Sequence, residues 1–160
     1  MKVSELMKRE VQACSVHDNL ERAARIMWEC DCGCVPVVDD DARVVGMLTD
    51  RDVCMAGYTQ GKPYAEILVT SAMATKVFGV DAQDQVEVAE AIMRTHRVRR
   101  LPVFEGTKLV GILSLSDVAT HAHKARGQSR IRRRELRLRR AHARRDLRAP
   151  ERRARLTKLQ

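Results

Sequence analysis

Gly46-Met47-Leu48-Thr49-Asp50-Arg51-Asp52 returns 65 residues later as Gly111-Ile112-Leu113-Ser114-Leu115-Ser116-Asp117. Both copies set a hydroxyl residue directly after an apolar, strand-like run and a carboxylate three residues further on. Upstream the correspondence continues at a shift of 66. Met7, Val11, Asp18, Glu21, Ala23, Ile26, Met27, Pro36 and Val37 fall on Met73, Val77, Asp84, Glu87, Ala89, Ile92, Met93, Pro102 and Val103. The matches include glycine, proline and aspartate, which have backbone and polar roles, so this is an internal repeat and not two similar amphipathic stretches.

Each copy reads as β-α-β-β-α. Asp18-x-x-Glu21 and Asp84-x-x-Glu87 have the form of capping boxes that open a helix. Leu20, Ala23, Met27 and Val86, Ala89, Met93 then recur at i, i+3, i+7, the stripe of a helix buried on one face. Val35-Pro36-Val37-Val38 and Leu101-Pro102-Val103-Phe104 read as strands. Turns at Asp39-Asp40-Asp41 and Glu105-Gly106-Thr107 lead to return strands at 44–48 and 109–113. Helices follow from Thr49 and Ser114, and short strands are expected near Cys14 and Val80. A unit of about 55 residues buries little surface alone, so the two are expected to share a core. The division is repeat 1 over 1–60, repeat 2 over 61–124 and a basic tail over 125–160.

Charge separates body from tail. Residues 1–120 carry 14 Lys/Arg against 18 Asp/Glu, and residues 121–160 carry 16 against 3. Affinity for polyanions therefore belongs to the tail. Residues 127–160 are mostly Arg, Ala and Leu, 22 of 34, and their apolar positions form no single stripe, so a helical or a disordered arm is expected there. Such an arm suits nucleic acid or an anionic lipid surface, without stacking on bases because it has no aromatic residue. No apolar run spans a bilayer and no signal peptide opens the chain, so a cytoplasmic protein without a transmembrane segment is expected.

Two readings stand for the Thr/Ser-x-x-Asp pairs. Helix capping alone selects them. Equally, an open helix N-terminus attracts phosphate, a hydroxyl donates to a phosphate oxygen, and a carboxylate accepts from both hydroxyls of a ribose. Capping does not call for Gly46 and Gly111, whereas close approach of a ligand or a neighbouring backbone does. The run His96-Arg97-Val98-Arg99-Arg100 likewise fits either a helix C-terminus complemented by cations or a phosphate clamp. Repeat 1 has Cys30-Asp31-Cys32-Gly33-Cys34 there, with no cation, so two pockets would not be equivalent. Cys30, Cys32 and Cys34 read as packing, with a thiol or metal sensor as the alternative; no second cysteine pair completes a zinc set.

A doubled β-α-β-β-α unit with Gly-h-h-[Thr/Ser]-x-x-Asp after its last strand resembles a tandem CBS-domain pair, the cystathionine-β-synthase-type module, and especially stand-alone bacterial pairs. The resemblance covers about residues 1–122. It implies an α/β (α+β) fold, two repeats packed as a pseudo-two-fold pair, and clefts for adenosine compounds. By position it implies ribose contacts from Asp52 and Asp117, and phosphate or ribose contacts from Thr49, Ser114, Arg99 and Arg100. It implies adenine-lining segments at Ala13, Cys14, Gly79 and Val80, and a homodimer formed through helices. The basic cluster favours AMP, ADP or ATP over S-adenosylmethionine, whose sulfonium gains nothing from arginine. No nucleophile–base pair or metal motif suggests an enzyme, so no cofactor or metal is required, and a regulatory module that shifts conformation with nucleotide is expected. The rival is a nucleic-acid-associated protein using the tail, with the pair as a dimerisation platform.

Overall fold

The structure is a computed structural model, and it describes residues 1–121. The tail expectations lie outside the described residues. Met1–Val118 forms one compact unit. Its elements follow the repeat: β1 (Cys14–Ser15), α1 (Leu20–Glu29), β2 (Cys34–Val38), β3 (Val44–Thr49) and α2 (Asp50–Gln60). Then come β4 (Val80–Asp81), α3 (Val86–His96), β5 (Arg100–Glu105) and β6 (Lys108–Ser114). A fourth helical run starts at Leu115 and continues through residue 121. The mixed α/β architecture of two β-α-β-β-α repeats is thus as expected. The described residues form two three-stranded sheets, ordered β1-β2-β3 and β4-β5-β6, each with one parallel and one antiparallel pairing.

The repeats agree in fine backbone detail. The β2–β3 register shifts between Val37 and Val38, and the β5–β6 register shifts at the matching Val103 and Phe104. The chain leaves α1 through Asp31 (φ 46°) and α3 through Arg97 (φ 55°), both in the left-handed region. Pro36 and Pro102 sit fully buried in central strands, where a missing N–H would ordinarily break a ladder. Met47, the partner of Pro36, spends its own N–H and carbonyl on Ala74, so the Pro36 nitrogen faces β1. That strand is in register with Val37 and Val38, and the pairing needs no N–H from Pro36.

The helix starts differ in part from expectation. Asn19 caps α1 by accepting from the Arg22 N–H, and Gln85 precedes α3 without a side-chain cap. Asp18 and Asp84 instead close the preceding turns, accepting from the N–H groups of Ser15 and Asp81.

The expectation of one shared core is also corrected. Two hydrophobic clusters exist, and each is completed by a segment that leads into the other repeat. Among the described residues, Val3 and Met7, at the start of repeat 1, lie in the cluster built on β4, α3, β5 and β6; Ile67 and Val69, early in repeat 2, lie in the cluster built on β1, α1, β2, β3 and α2. The exchange is two-fold. The Val3 N–H donates to Asp84 O and the Val69 N–H to Asp18 O, while Lys8 pairs with Ile112 as Ala74 pairs with Met47. These bridges also cover the outer edges of β3 and β6, which would otherwise offer unpaired backbone. Val3 and Val69 are fully buried, a gain of about 1.5–3 kcal/mol each relative to exposure.

Candidate functional site

The two motif copies occupy matching strand-to-helix junctions, β3 into α2 and β6 into the helix from Leu115. Thr49 is the N-cap of α2: its Oγ1 accepts from the Asp52 N–H at 3.2 Å, and the Thr49 N–H donates to Asp52 Oδ2 at 2.9 Å. The Thr49 hydroxyl also donates to that oxygen, at 2.6 Å. Ser114 and Asp117 repeat the arrangement, with the Ser114 N–H to Asp117 Oδ2 at 3.0 Å, the Asp117 N–H to Ser114 Oγ at 3.2 Å, and the Ser114 hydroxyl donating to Oδ2. The capping reading therefore holds in both repeats. It occupies the hydroxyls and one carboxylate oxygen. Among the described residues, Oδ1 of Asp52 and of Asp117 takes no hydrogen bond, and both side chains are half-buried. Each junction thus keeps a fixed, uncommitted carboxylate oxygen able to accept from vicinal hydroxyls.

The glycines three residues before the hydroxyls have a packing cause. A Cβ on Gly46 would collide with Met73 Sδ, and one on Gly111 would stand 2.6 Å from Met7 Sδ and 2.9 Å from the Lys8 carbonyl oxygen. The close neighbour is the exchanged segment of the other repeat. A ligand is not needed to account for either glycine.

The basic run is dispersed. The His96 ring stacks on Phe78, with centroids 3.8 Å apart and planes 14° from parallel, and Lys76 Nζ lies 5.2 Å from the same Phe78 ring. Arg97 forms the left-handed cap of α3, and Arg99 is exposed. Arg100 pairs with Ser114 across β5–β6, yet its guanidinium reaches repeat 1: a Cβ on Gly33 would meet Arg100 Nη2 at 2.6 Å and Asp50 Oδ2 at 2.9 Å. Asp50, Gly33 and Phe78 were not singled out from the sequence as site residues. An arginine aligned with a short cysteine, across from a glycine, was the available signal for the first two.

Of the segments expected to line adenine, Cys14 and Val80 are buried in the two cores and Ala13 and Gly79 are half-buried beside them. The Gly79 α-carbon faces Phe104 and the Pro102 carbonyl. Burial pushes the Cys14 and Cys34 thiols up to about 11. Burial also raises Cys32, against the opposing pull of Arg100 and Lys8. Cys30 and Cys54 are exposed. Among the described residues no three His, Cys, Asp or Glu side chains are grouped to hold a metal, and no helix is long and apolar enough to cross a membrane.

A family model described as the CBS domain matches residues 3–58 and 67–124. An uncharacterized Bacillus subtilis protein, YlbB, is 37% identical over 119 residues, covering 74% of this chain and 80% of that protein. Hypoxic response protein 1 of Mycobacterium tuberculosis is 34% identical over 117 residues, 73% of this chain and 82% of its own. A crystal structure of hypoxic response protein I, described with two coordinated zinc ions, superposes with a TM-score of 0.68 at 33% identity over 76% of this chain and 98% of that one. The CBS pair of protein MJ0100, solved with 5′-methylthioadenosine and S-adenosyl-L-methionine, shares the fold at a TM-score of 0.68 and 19% identity, over 78% of this chain and 98% of that chain.

Proposed function

The chain belongs to the CBS-domain family, and from that premise we propose that it is a non-catalytic receptor for adenosine nucleotides that reports binding by a change in packing between repeats or protomers. One observation carries the reading. Two junctions 65 residues apart each keep an aspartate fixed by a hydroxyl cap yet with one oxygen uncommitted. A cap needs one oxygen; a ribose needs the other. In this reading Asp52 and Asp117 hold ribose hydroxyls, and Thr49 and Ser114 set the carboxylates in place. Arg99 and Arg100 meet phosphate, and the backbone at Ala13, Cys14, Gly79 and Val80 flanks the base. The exposed cations support AMP, ADP or ATP over S-adenosylmethionine. A ligand moves the packing equilibrium only through different affinities for the two arrangements.

Assembly into a homodimer through helices draws support from Trp28 on α1 and Tyr58 on α2, large apolar side chains 87% and 82% exposed. Trp28→Glu is expected to halve the mass seen by light scattering.

The direct test is a thermal-shift and calorimetric screen of adenosine, AMP, ADP, ATP and S-adenosylmethionine against the full chain. A ligand selective for the folded state raises the melting temperature. A shift with nucleotides that Asp52→Asn and Asp117→Asn both weaken is the expected result; no heat and no shift with any of the five defeats the proposal.

A further inference from the structure

Arg100 and Asp50 come from different repeats and converge on Gly33. A Cβ at residue 33 would find the Arg100 guanidinium at 2.6 Å and Asp50 Oδ2 at 2.9 Å, so glycine is what leaves room for both. Asp50 spends its other oxygen locally, Oδ1 accepting from the Arg51 N–H at 2.7 Å. Its other oxygen, Oδ2, is the one that lies beside Gly33, as the Arg100 guanidinium does. Arg100 itself closes no ion pair among the described residues, so the fork is attracted to the carboxylate without being locked to it.

The other repeat lacks this arrangement. The backbone contact is the same, the Asp50 N–H to Gly33 O matching the Leu115 N–H to Arg99 O. In side chains, however, Leu115 stands where Asp50 does, and Arg99 where Gly33 does. One junction therefore carries a carboxylate facing its borrowed arginine, and the other carries an arginine with an apolar residue beside it.

We infer that Asp50 is a specificity-determining residue which competes with ligand phosphate for Arg100, so that the repeat 1 junction selects adenosine compounds of low negative charge while the repeat 2 junction keeps the preference for phosphate. This rests on the adenosine-binding reading above and assigns its two sites different ligand classes. The chemistry is competition for one cation: a phosphate must take the Arg100 guanidinium from the field of the Asp50 carboxylate, and a neutral adenosine has no need of it.

Calorimetric titrations with ATP and with adenosine test it on the full chain, comparing wild type, Asp50→Asn, Leu115→Asp, Arg100→Ala and the Asp50→Asn/Arg100→Ala double variant. Asp50→Asn is expected to raise the ratio of ATP to adenosine affinity about tenfold, and Leu115→Asp to lower it by a similar factor. With Arg100 removed, the Asp50 substitution should leave the ratio within about twofold, since the two act on one group. A ratio unmoved by Asp50→Asn, or moved equally with and without Arg100, overturns the inference even if adenosine binds well. If neither compound binds wild type, the receptor reading itself falls and this assignment goes with it.

Discussion

Repeats 1 and 2 have nearly one backbone and two chemistries. The register shift at Val37/Val38 recurs at Val103/Phe104, and the positive φ at Asp31 recurs at Arg97. The glycine under Met73 recurs under Met7. At the same time Cys34 faces Arg100, Gly33 faces Arg99, Asp50 faces Leu115 and Cys14 faces Val80 in the alignment. Hydrogen-bonding geometry and close approach constrain the first set. The second set answers to its surroundings, charged near Gly33 and apolar at Cys14 and Val80. The duplicated scaffold is thus free to carry unlike sites.

The largest break in the comparison is expected at the glycines. A Cβ on Gly111 meets the Lys8 backbone carbonyl as well as Met7, whereas the three nearest atoms to one on Gly46 all belong to the flexible Met73 side chain. Gly111→Ala should cost about 3 kcal/mol in urea unfolding and Gly46→Ala about 1 kcal/mol, within the range for overpacked sites. Equal costs would mean that the two exchanged segments are equally yielding. Next comes the ligand. Asp117→Asn should weaken ATP binding about tenfold and Asp52→Asn about threefold by calorimetry, because only the first junction sets a carboxylate against its arginine. The opposite order would show that Arg100 serves phosphate at repeat 1 despite Asp50. A nearly equal pair should follow from the caps: Thr49→Ala and Ser114→Ala are each expected to cost about 1 kcal/mol in chemical denaturation.

The smallest effect is alkaline. Cys14 has its thiol raised by burial to about 11 from 9.0, so the folded state holds a proton that the unfolded chain releases sooner. The stability this represents is complete below pH 9 and is lost as pH rises toward 11. Cys14→Val, which copies Val80, should therefore lessen the fall in melting temperature between pH 8.5 and 10.5 by a few degrees. An unchanged alkaline slope would place that loss on other groups.

The sequence disclosed the repeat, its element order and the twin caps because all three depend on local spacing. Thr49 and Asp52 are three residues apart, and a cap needs nothing more. Asp18 misled for the same reason: its spacing to Glu21 suits a capping box, but the adjacent Asn19 takes the cap and Asp18 closes a turn. The exchange of leading segments left a partial signal, since Met7 and Met73 align and each is matched by a glycine in the other repeat, but spacing cannot say which methionine meets which glycine. The reach of Arg100 left almost none. Its alignment partner is Cys34, and the direction of a long side chain across a repeat boundary is set by Gly33 and Asp50, which are distant in sequence. His96 looked like part of a cationic clamp, and only folding puts Phe78 under its ring.

The exchanged segments also bear on how the chain is made. During synthesis from the amino end, the sheet and helices of repeat 1 emerge before Ile67 and Val69, and its core stays open until those residues leave the ribosome. Val3 and Met7 wait longer still, exposed until β6 has been translated about a hundred residues later. A nascent half of this protein therefore exposes apolar residues that the complete fold buries, and truncation between the repeats is expected to leave the first core uncovered.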